Sequence, residues 1–545
     1  MFSYKNKRIL IVDDQRPFHI MLKMMLTNQG AQDISFADSA EAAIRITQHK
    51  EFDIYLIDYN LGSGKNGSQL LDYLRHNKLI PSRSLCFIIS GDSNQGMVLT
   101  AIEKAPDDYL MKPFSQIQLF NRLDKANQKK LALADIFDAL EEKDYKTAML
   151  LCKNKIKEGS KFRGLCKILL ADILISTDQL STAEKILKNL IENRPLVRIS
   201  ITLGKIYYLQ QKYPEAIQVL KEVVSNNPLQ MEAYQWLSRA YQHSGQLEQA
   251  LQILTSAANI THHSIDRHQE VALLANEMSQ HKLILSSYQS ILQLSRSSFY
   301  PDPCHLANYI RSIFNYANAQ DEQDTKKIIL KQVNTTLYQS RFEEGRNKDF
   351  DFNRYDEICQ AQIFFSLGDK LKAKRRILNT LENNECPIDK LDNTLLCESL
   401  FSVLDIGEFE YAIPYMAELE QRNIMDTTTQ MAIKQKTGEM LNKRMDSFKI
   451  HNKLGIQAFT AHSYESALNH FNEALKLESL NSGAMLNRIQ VYIQLLKESE
   501  GNDRKIQIEN CQSSFKLISN THLPEEHAKR SERLQKEFRD LTRDA

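Results

Sequence analysis

Residues 8–14 read RILIVDD and residues 53–61 read DIYLIDYNL, and these two stretches set the architecture of the N-terminal part of the chain. Each is a short apolar run, Ile9–Val12 and Ile54–Ile57, that ends on acid: Asp13 and Asp14 after the first, Asp58 after the second. Two further runs follow the same design, Leu85–Ile89 leading into Ser90 and Tyr109–Met111 leading into Lys112. Helix-like stretches separate the runs. Continuous apolar strands broken by helices predict a parallel sheet covered on both faces. Ligands of such sheets sit beyond the carboxyl ends of the strands, so three acids, a hydroxyl and a lysine are expected on one edge.

Carboxylates brought together repel one another, and protonation or a divalent cation relieves them. Oxygen donors without His or Cys suit Mg²⁺. A metal beside a carboxylate, a lysine and a hydroxyl suits phosphoryl transfer, in which a carboxylate nucleophile yields an acyl phosphate. A purely structural ion-pair cluster is the alternative, and it explains one Asp-Asp pair more readily than five groups at strand ends.

The segments RILIVDD, DIYLIDYNL, LCFIISGD and DDYLMKPF resemble the phosphoacceptor (receiver) domain of bacterial two-component response regulators, the CheY-like fold, over roughly residues 5–126. The resemblance implies a doubly wound, five-stranded parallel α/β sheet. It implies that Asp58 accepts a phosphoryl group from a sensor histidine kinase or a phosphotransfer protein. Asp13, Asp14 and Asp58, with the backbone carbonyl of Asn60, would hold Mg²⁺. Lys112 would contact the phosphoryl group, Ser90 would swing onto it, and Tyr109 matches the aromatic that changes rotamer on activation. Lys112–Pro113 matches a peptide bond that is usually cis in the family. Two departures stand out. The loop Gly62-Ser63-Gly64-Lys65-Asn66-Gly67 lacks a proline common there and is one residue longer, and a second extra residue falls before Ser90. Gly91 follows Ser90 where alanine is frequent, which leaves the phosphoryl pocket open.

At 545 residues the chain exceeds one compact domain. Only 17 glycines and 12 prolines punctuate it, which predicts long helices and short turns. A net charge of +1 gives no bulk electrostatic reason to bind nucleic acid or an anionic membrane. Eight cysteines form no Cys-x-x-Cys pair, the start is charged rather than signal-like, and no apolar run is long enough to span a membrane. A soluble, reduced, cytoplasmic setting is expected.

After about residue 130 a repeat replaces the strands. Ala148, Ala183, Ala216 and Ala250 recur 35, 33 and 34 residues apart. An aromatic or leucine precedes each by three (Tyr145, Leu180, Tyr213, Leu247), and Cys152, Leu187, Leu220 and Leu254 follow by four. Pro195 and Pro228 close two of the units. A period near 34 resembles the tetratricopeptide (TPR) repeat, two helices per unit. Regular repeats are expected over 127–262 and degenerate ones over 263–523, where Gly368…Ala373, Gly407…Ala412 and Tyr464…Ala467 restore the pattern. Residues 524–545 read as a charged capping helix. TPR resemblance implies a face that binds protein segments, with Arg198, Lys205, Gln235 and Arg239 as candidate groove residues. No set resembling the carboxylate clamp of chaperone-binding TPRs is evident.

His262, His263 and His268 read as an inter-repeat loop rather than a metal site, and Gly-Ser-Gly-Lys at 62–65 lacks the spacing of a phosphate-binding loop. No catalytic set of Ser/His/Asp or Cys/His type stands out. The sequence therefore predicts a non-enzymatic response regulator: phosphorylation at Asp58, with Mg²⁺, switches a TPR protein-binding output. A downstream protein is the expected partner and nucleic acid is not, while homodimerisation is left open. The alternatives are a constitutive TPR scaffold that uses the receiver for docking, or a nucleic-acid regulator acting through a basic patch.

Overall fold

The computed structural model describes residues 3–62, 65–81, 83–91, 106–193, 196–296, 302–345, 347, 349–382, 387–519 and 523–542. Five strands, β1 (Arg8–Val12), β2 (Asp33–Ala37), β3 (Ile54–Asp58), β4 (Leu85–Ser90) and β5 (Asp108–Met111), form one parallel sheet in the order β2-β1-β3-β4-β5. Helices α1 (Arg16–Asn28), α2 (Ala40–Thr47), α3 (Gly67–His76) and α4 (Gln116–Glu141) accompany it.

Alternation along the strands splits the core in two. Leu10, Val12, Tyr55, Ile57, Cys86 and Ile88 face one side, where Ala40 and Ala43 of α2 and Leu70, Leu71 and Leu74 of α3 cover them. Ile9, Ile11, Ile54, Leu56, Phe87 and Ile89 face the other, against Leu22 and Leu26 of α1 and Leu119 and Leu123 of α4. A run apolar at every position is what a sheet buried on both faces requires. The strand order reverses between β1 and β3, and the crevice at their carboxyl ends is where such sheets bind ligands.

Ser115 opens α4 with a capping box, its hydroxyl accepting from Gln118 N while the Gln118 side chain accepts from Ser115 N. The helix then runs 26 residues without a break. Residues 127–130 lie inside it. Its first half packs on the sheet through Leu119 and Leu123. Its second half packs Leu133, Ile136 and Ala139 against Ala148 and Cys152, so it serves as the first helix of the first repeat.

Helix pairs follow: α5 (Tyr145–Lys157), α6 (Arg163–Ser176), α7 (Leu180–Asn193), α8 (Val197–Leu209), α9 (Tyr213–Asn226), α10 (Met231–His243), α11 (Leu247–Ile260), α12 (Ile265–Glu277) and α13 (His281–Ser295). Ala148, Ala183, Ala216 and Ala250 are fully buried. Small residues let the paired helices close together: a Cβ on Gly204 would stand 2.5 Å from Leu220 Cγ. The turn inside each pair passes through a left-handed residue, at Lys143, Asp178, Gln211, Gly245 and Ser279. That spacing carries the regular array one unit beyond residue 262. Pro228 lies just past the end of α9, and Pro195 lies outside the described residues.

The chain divides into two compact units, Met1–Pro301 and Asp302–Ala545. The second is helical from Pro303–Asn318 to Glu525–Thr542. Left-handed turns at Gly368, Gly407 and His462 keep the expected repeat positions. The wide interval before His462 is filled by an added helix, Thr427–Lys436, and a long one, Glu439–Thr460. In the last helix, Leu534 and Phe538 are buried and Leu541 packs beside them.

Candidate functional site

Each acid of the site is placed by a strand end. Asp13 follows β1, with its backbone N–H bonded to Ala37 O; Asp58 is the last residue of β3; Lys112 follows β5. Lys112 Nζ stands 2.8 Å from Asp13 Oδ2 and 3.2 Å from Asp58 Oδ1, although these residues lie far apart in sequence. Ser90 ends β4, is buried, and its carbonyl accepts the Lys112 backbone N–H at 2.7 Å. Tyr109 is half-buried against the core face of Leu10 and Val12. Asn60 sits on the loop beyond β3, where its Oδ1 accepts from Gly62 N at 3.3 Å. Lys112–Pro113 is cis. Ser63 and Gly64 of the same loop lie outside the described residues.

Three supporting contacts were not evident from the sequence. Gln15 N donates to Asp13 Oδ1 at 2.8 Å, which leaves Oδ2 turned to Lys112. The Phe18 ring lies 3.8 Å below the Lys112 ammonium and meets Phe114 edge-on at 5.9 Å. This cation–π contact limits the places the lysine can reach. Aromatics one turn into α1 and directly after Lys-Pro were the only available signal. Gly67 is the third: a Cβ there would stand 2.0 Å from the Asp58 carbonyl oxygen, so only glycine lets α3 start this close to the site.

Burial is the main force on Asp58 and pushes its carboxyl up to about 6; Lys112 opposes the shift, while Asp13 and Asp14 reinforce it. Asp13, Asp14 and Asp58 each offer a carboxylate oxygen within 4.8 Å of the others. Asp58 Oδ1 is buried, and among the described residues only the Lys112 ammonium approaches it, at 3.2 Å without well-aligned hydrogen-bond geometry. An oxygen-only donor set with excess negative charge and an unsatisfied buried oxygen fits Mg²⁺.

The response regulator receiver domain family matches residues 9–124. Those residues are a receiver domain. A tetratricopeptide repeat family matches residues 207–276, so the chain joins a response-regulator receiver to TPR repeats. The receiver is 30% identical over 119 residues to the transcriptional regulatory protein YvrH of Bacillus subtilis, covering 22% of this chain and 48% of that protein. It is 27% identical over 121 residues to the chemotaxis protein CheY-3 of Vibrio cholerae, covering 22% of this chain and 92% of that protein. The match thus spans about half of the first relative and nearly all of the second. A solved CheY-like receiver domain from Methanospirillum hungatei is 24% identical, with a TM-score of 0.21, over 23% of this chain and 95% of that one.

The groove residues named from the sequence fall on the first helices of their repeats. Arg198 on α8 is exposed and stands 3.6 Å from Asp172 on α6. Lys205 on α8 and Arg239 on α10 both lie over Trp236, and Gln235 is half-buried beside it. The receiver also meets α4 at the opening edge of the sheet. Lys130 Nζ donates to Ser84 O and reaches Asp107 Oδ1 and Oδ2 at 3.2 and 3.1 Å, while Arg83 pairs with Asp138 at 2.8 Å. Asp107 Oδ2 in turn accepts the Cys86 backbone N–H. Among the described residues no helix is long and apolar enough to cross a membrane.

Proposed function

We propose that this chain is a phosphorylation-switched response regulator whose TPR repeats are the output. The convergence of Asp13, Asp14, Asp58 and Lys112 at the carboxyl ends of β1, β3 and β5 carries the reading. An Asp58 carboxylate oxygen attacks the phosphorus of a phosphohistidine on a kinase or phosphotransfer partner; the P–N bond breaks and an acyl phosphate forms. Asp13, Asp14, Asp58 and the Asn60 carbonyl would hold Mg²⁺, which supplies positive charge against the phosphoryl oxygens. The Lys112 ammonium moves from Asp58 onto the new phosphoryl group, and the Ser90 hydroxyl donates to it. The protein turns over no other substrate in this reading.

Phosphorylation replaces the Asp58 carboxylate with a group of about −1.5 to −2 charge, a net gain of about one negative charge at the end of β3. Ser90 and Lys112 end β4 and precede α4, and Lys130 ties α4 back to the start of those same strands. The changed charge is thereby linked to a helix that belongs to both receiver and repeats, and a protein partner, rather than DNA, reads the outcome.

The test is Mg²⁺-dependent labelling by acetyl phosphate, wild type against Asp58→Ala, with hydrogen exchange followed over residues 127–262 in beryllofluoride. Labelling lost in the variant, with altered exchange, is expected. Labelling without any change in exchange would leave a docking receiver on a constitutive scaffold. No labelling would remove the phosphoacceptor reading.

A further inference from the structure

The sole tryptophan of the chain, Trp236, is half-buried on α10 at the face shared with α8. Lys205 Nζ lies 5.4 Å from its ring centroid and Arg239 Cζ 4.9 Å, one cation from each helix. Tyr208 packs on the same ring at 5.4 Å, and its hydroxyl meets His243 Nδ1 at 3.3 Å. Neither Lys205 nor Arg239 forms an ion pair among the described residues. The acids of this face are Asp172, paired with Arg198 and also attracted by Lys205, and Glu232, one turn before Trp236.

A guanidinium laid on an indole keeps its N–H edges free and loses little rotamer freedom when an anion arrives. Trp, Tyr and Arg clustered at one half-buried point is the composition of an interface hot spot. We propose that the α8/α10 face around Trp236 docks an acidic segment of a partner protein, with carboxylates on Lys205 and Arg239 and an apolar side chain against Tyr208 and Trp236. This rests on the reading of the repeats as the protein-binding output. Nucleic acid fits less well, because two cations give few phosphate contacts.

The test uses the full chain and its single-tryptophan emission. The probes are an acidic peptide, acetyl-Glu-Glu-Leu-Glu-Glu-amide, its all-Gln counterpart, and a single-stranded oligothymidylate, each taken to millimolar concentration with and without beryllofluoride and Mg²⁺. A saturable emission change with the acidic peptide alone is expected, weakened at least about tenfold in Lys205→Gln/Arg239→Gln. Arg239→Lys, which keeps charge but not the planar fork, should fall between. Far-UV circular dichroism checks that these variants fold. No change with the acidic peptide, equal binding of the Gln peptide, an unaffected double variant, or tighter binding of the oligonucleotide each overturns the proposal. Binding that is equal with and without beryllofluoride leaves the proposal standing and removes only the phospho-switch. Labelled Asp58 in a chain that ignores the peptide does the reverse.

Discussion

The Asp58 carboxylate is held at an energetic disadvantage by its burial. Its carboxyl is raised to about 6, above the ordinary carboxylate range, chiefly by burial. Below about pH 4 the folded and unfolded chains both hold the proton, and that stability is fully present. As pH rises through about 6 the folded chain must give up a proton it binds more tightly than the unfolded chain does, and stability of roughly 3 kcal/mol is lost. In chelator at pH 7.5, Asp58→Asn is therefore expected to melt higher than wild type, with the gap closing towards pH 4. Thermal melts across that range check it, and a constant gap would refute the account. Mg²⁺ should raise the wild-type melting temperature and leave the Asn variant nearly unmoved, because binding to the folded state alone stabilises it. Lys112→Met removes the cation shared by Asp13 and Asp58 and leaves buried negative charge unpaired, a cost of about 3 kcal/mol. Its melting temperature in chelator should fall and should recover in part with Mg²⁺.

At the scale of elements, α4 and the repeat seams carry the argument. Lys130 joins α4 to Ser84 O and Asp107, and Asp107 in turn holds the Cys86 backbone N–H. Lys130→Met is expected to retain acetyl-phosphate labelling at Asp58 while abolishing any beryllofluoride-dependent exchange change beyond residue 130. Persistence of that change would show that the link runs elsewhere. In the repeats, Gly204→Ala forces a methyl into Leu220, and overpacking of this kind costs about 1–3 kcal/mol. Denaturant unfolding followed by Trp236 emission reads it, with a lowered midpoint and unchanged labelling at Asp58. The repeat period was legible because small and bulky residues recur on packed faces. The unbroken run of α4 was not: Ala126–Lys130 carries no Gly, Pro or cap, which allows a helix but does not distinguish it from a short connection. Nor were the left-handed turns at Lys143, Asp178, Gln211 and Ser279, since only Gly245 bears the usual residue for that conformation.

For the whole molecule, two compact units predict two calorimetric transitions. Beryllofluoride with Mg²⁺ is expected to raise only the one that contains the receiver, since ligand binding stabilises the unit that holds it. A single transition that moves as one would contradict this. The cysteines give a second global readout. The seven described ones are free and buried. Burial pushes the Cys86, Cys397 and Cys511 thiols up to about 12 and Cys152 up to about 11. With so little thiolate, these groups should react slowly with Ellman's reagent until denaturant is added.

The parallel sheet, the acids, hydroxyl and lysine at its strand ends, and the repeat of about 34 residues can all be read along the chain. These are short-range patterns: strand alternation, helical period and the residue that ends each element are written locally. Which of these groups meet depends on how the folded chain packs. Lys112 reaches both Asp13 and Asp58 because the strand order puts β1, β3 and β5 on one sheet, and Phe18 limits it because α1 starts beside that edge. Lys205 looks like an ordinary surface charge in the sequence; stacking neighbouring repeats lays it on the indole that Arg239, three residues further along the same helix, already covers. The contacts of Lys112 with Asp13 and of Lys205 with Trp236 join residues tens of positions apart, so no local pattern encodes them.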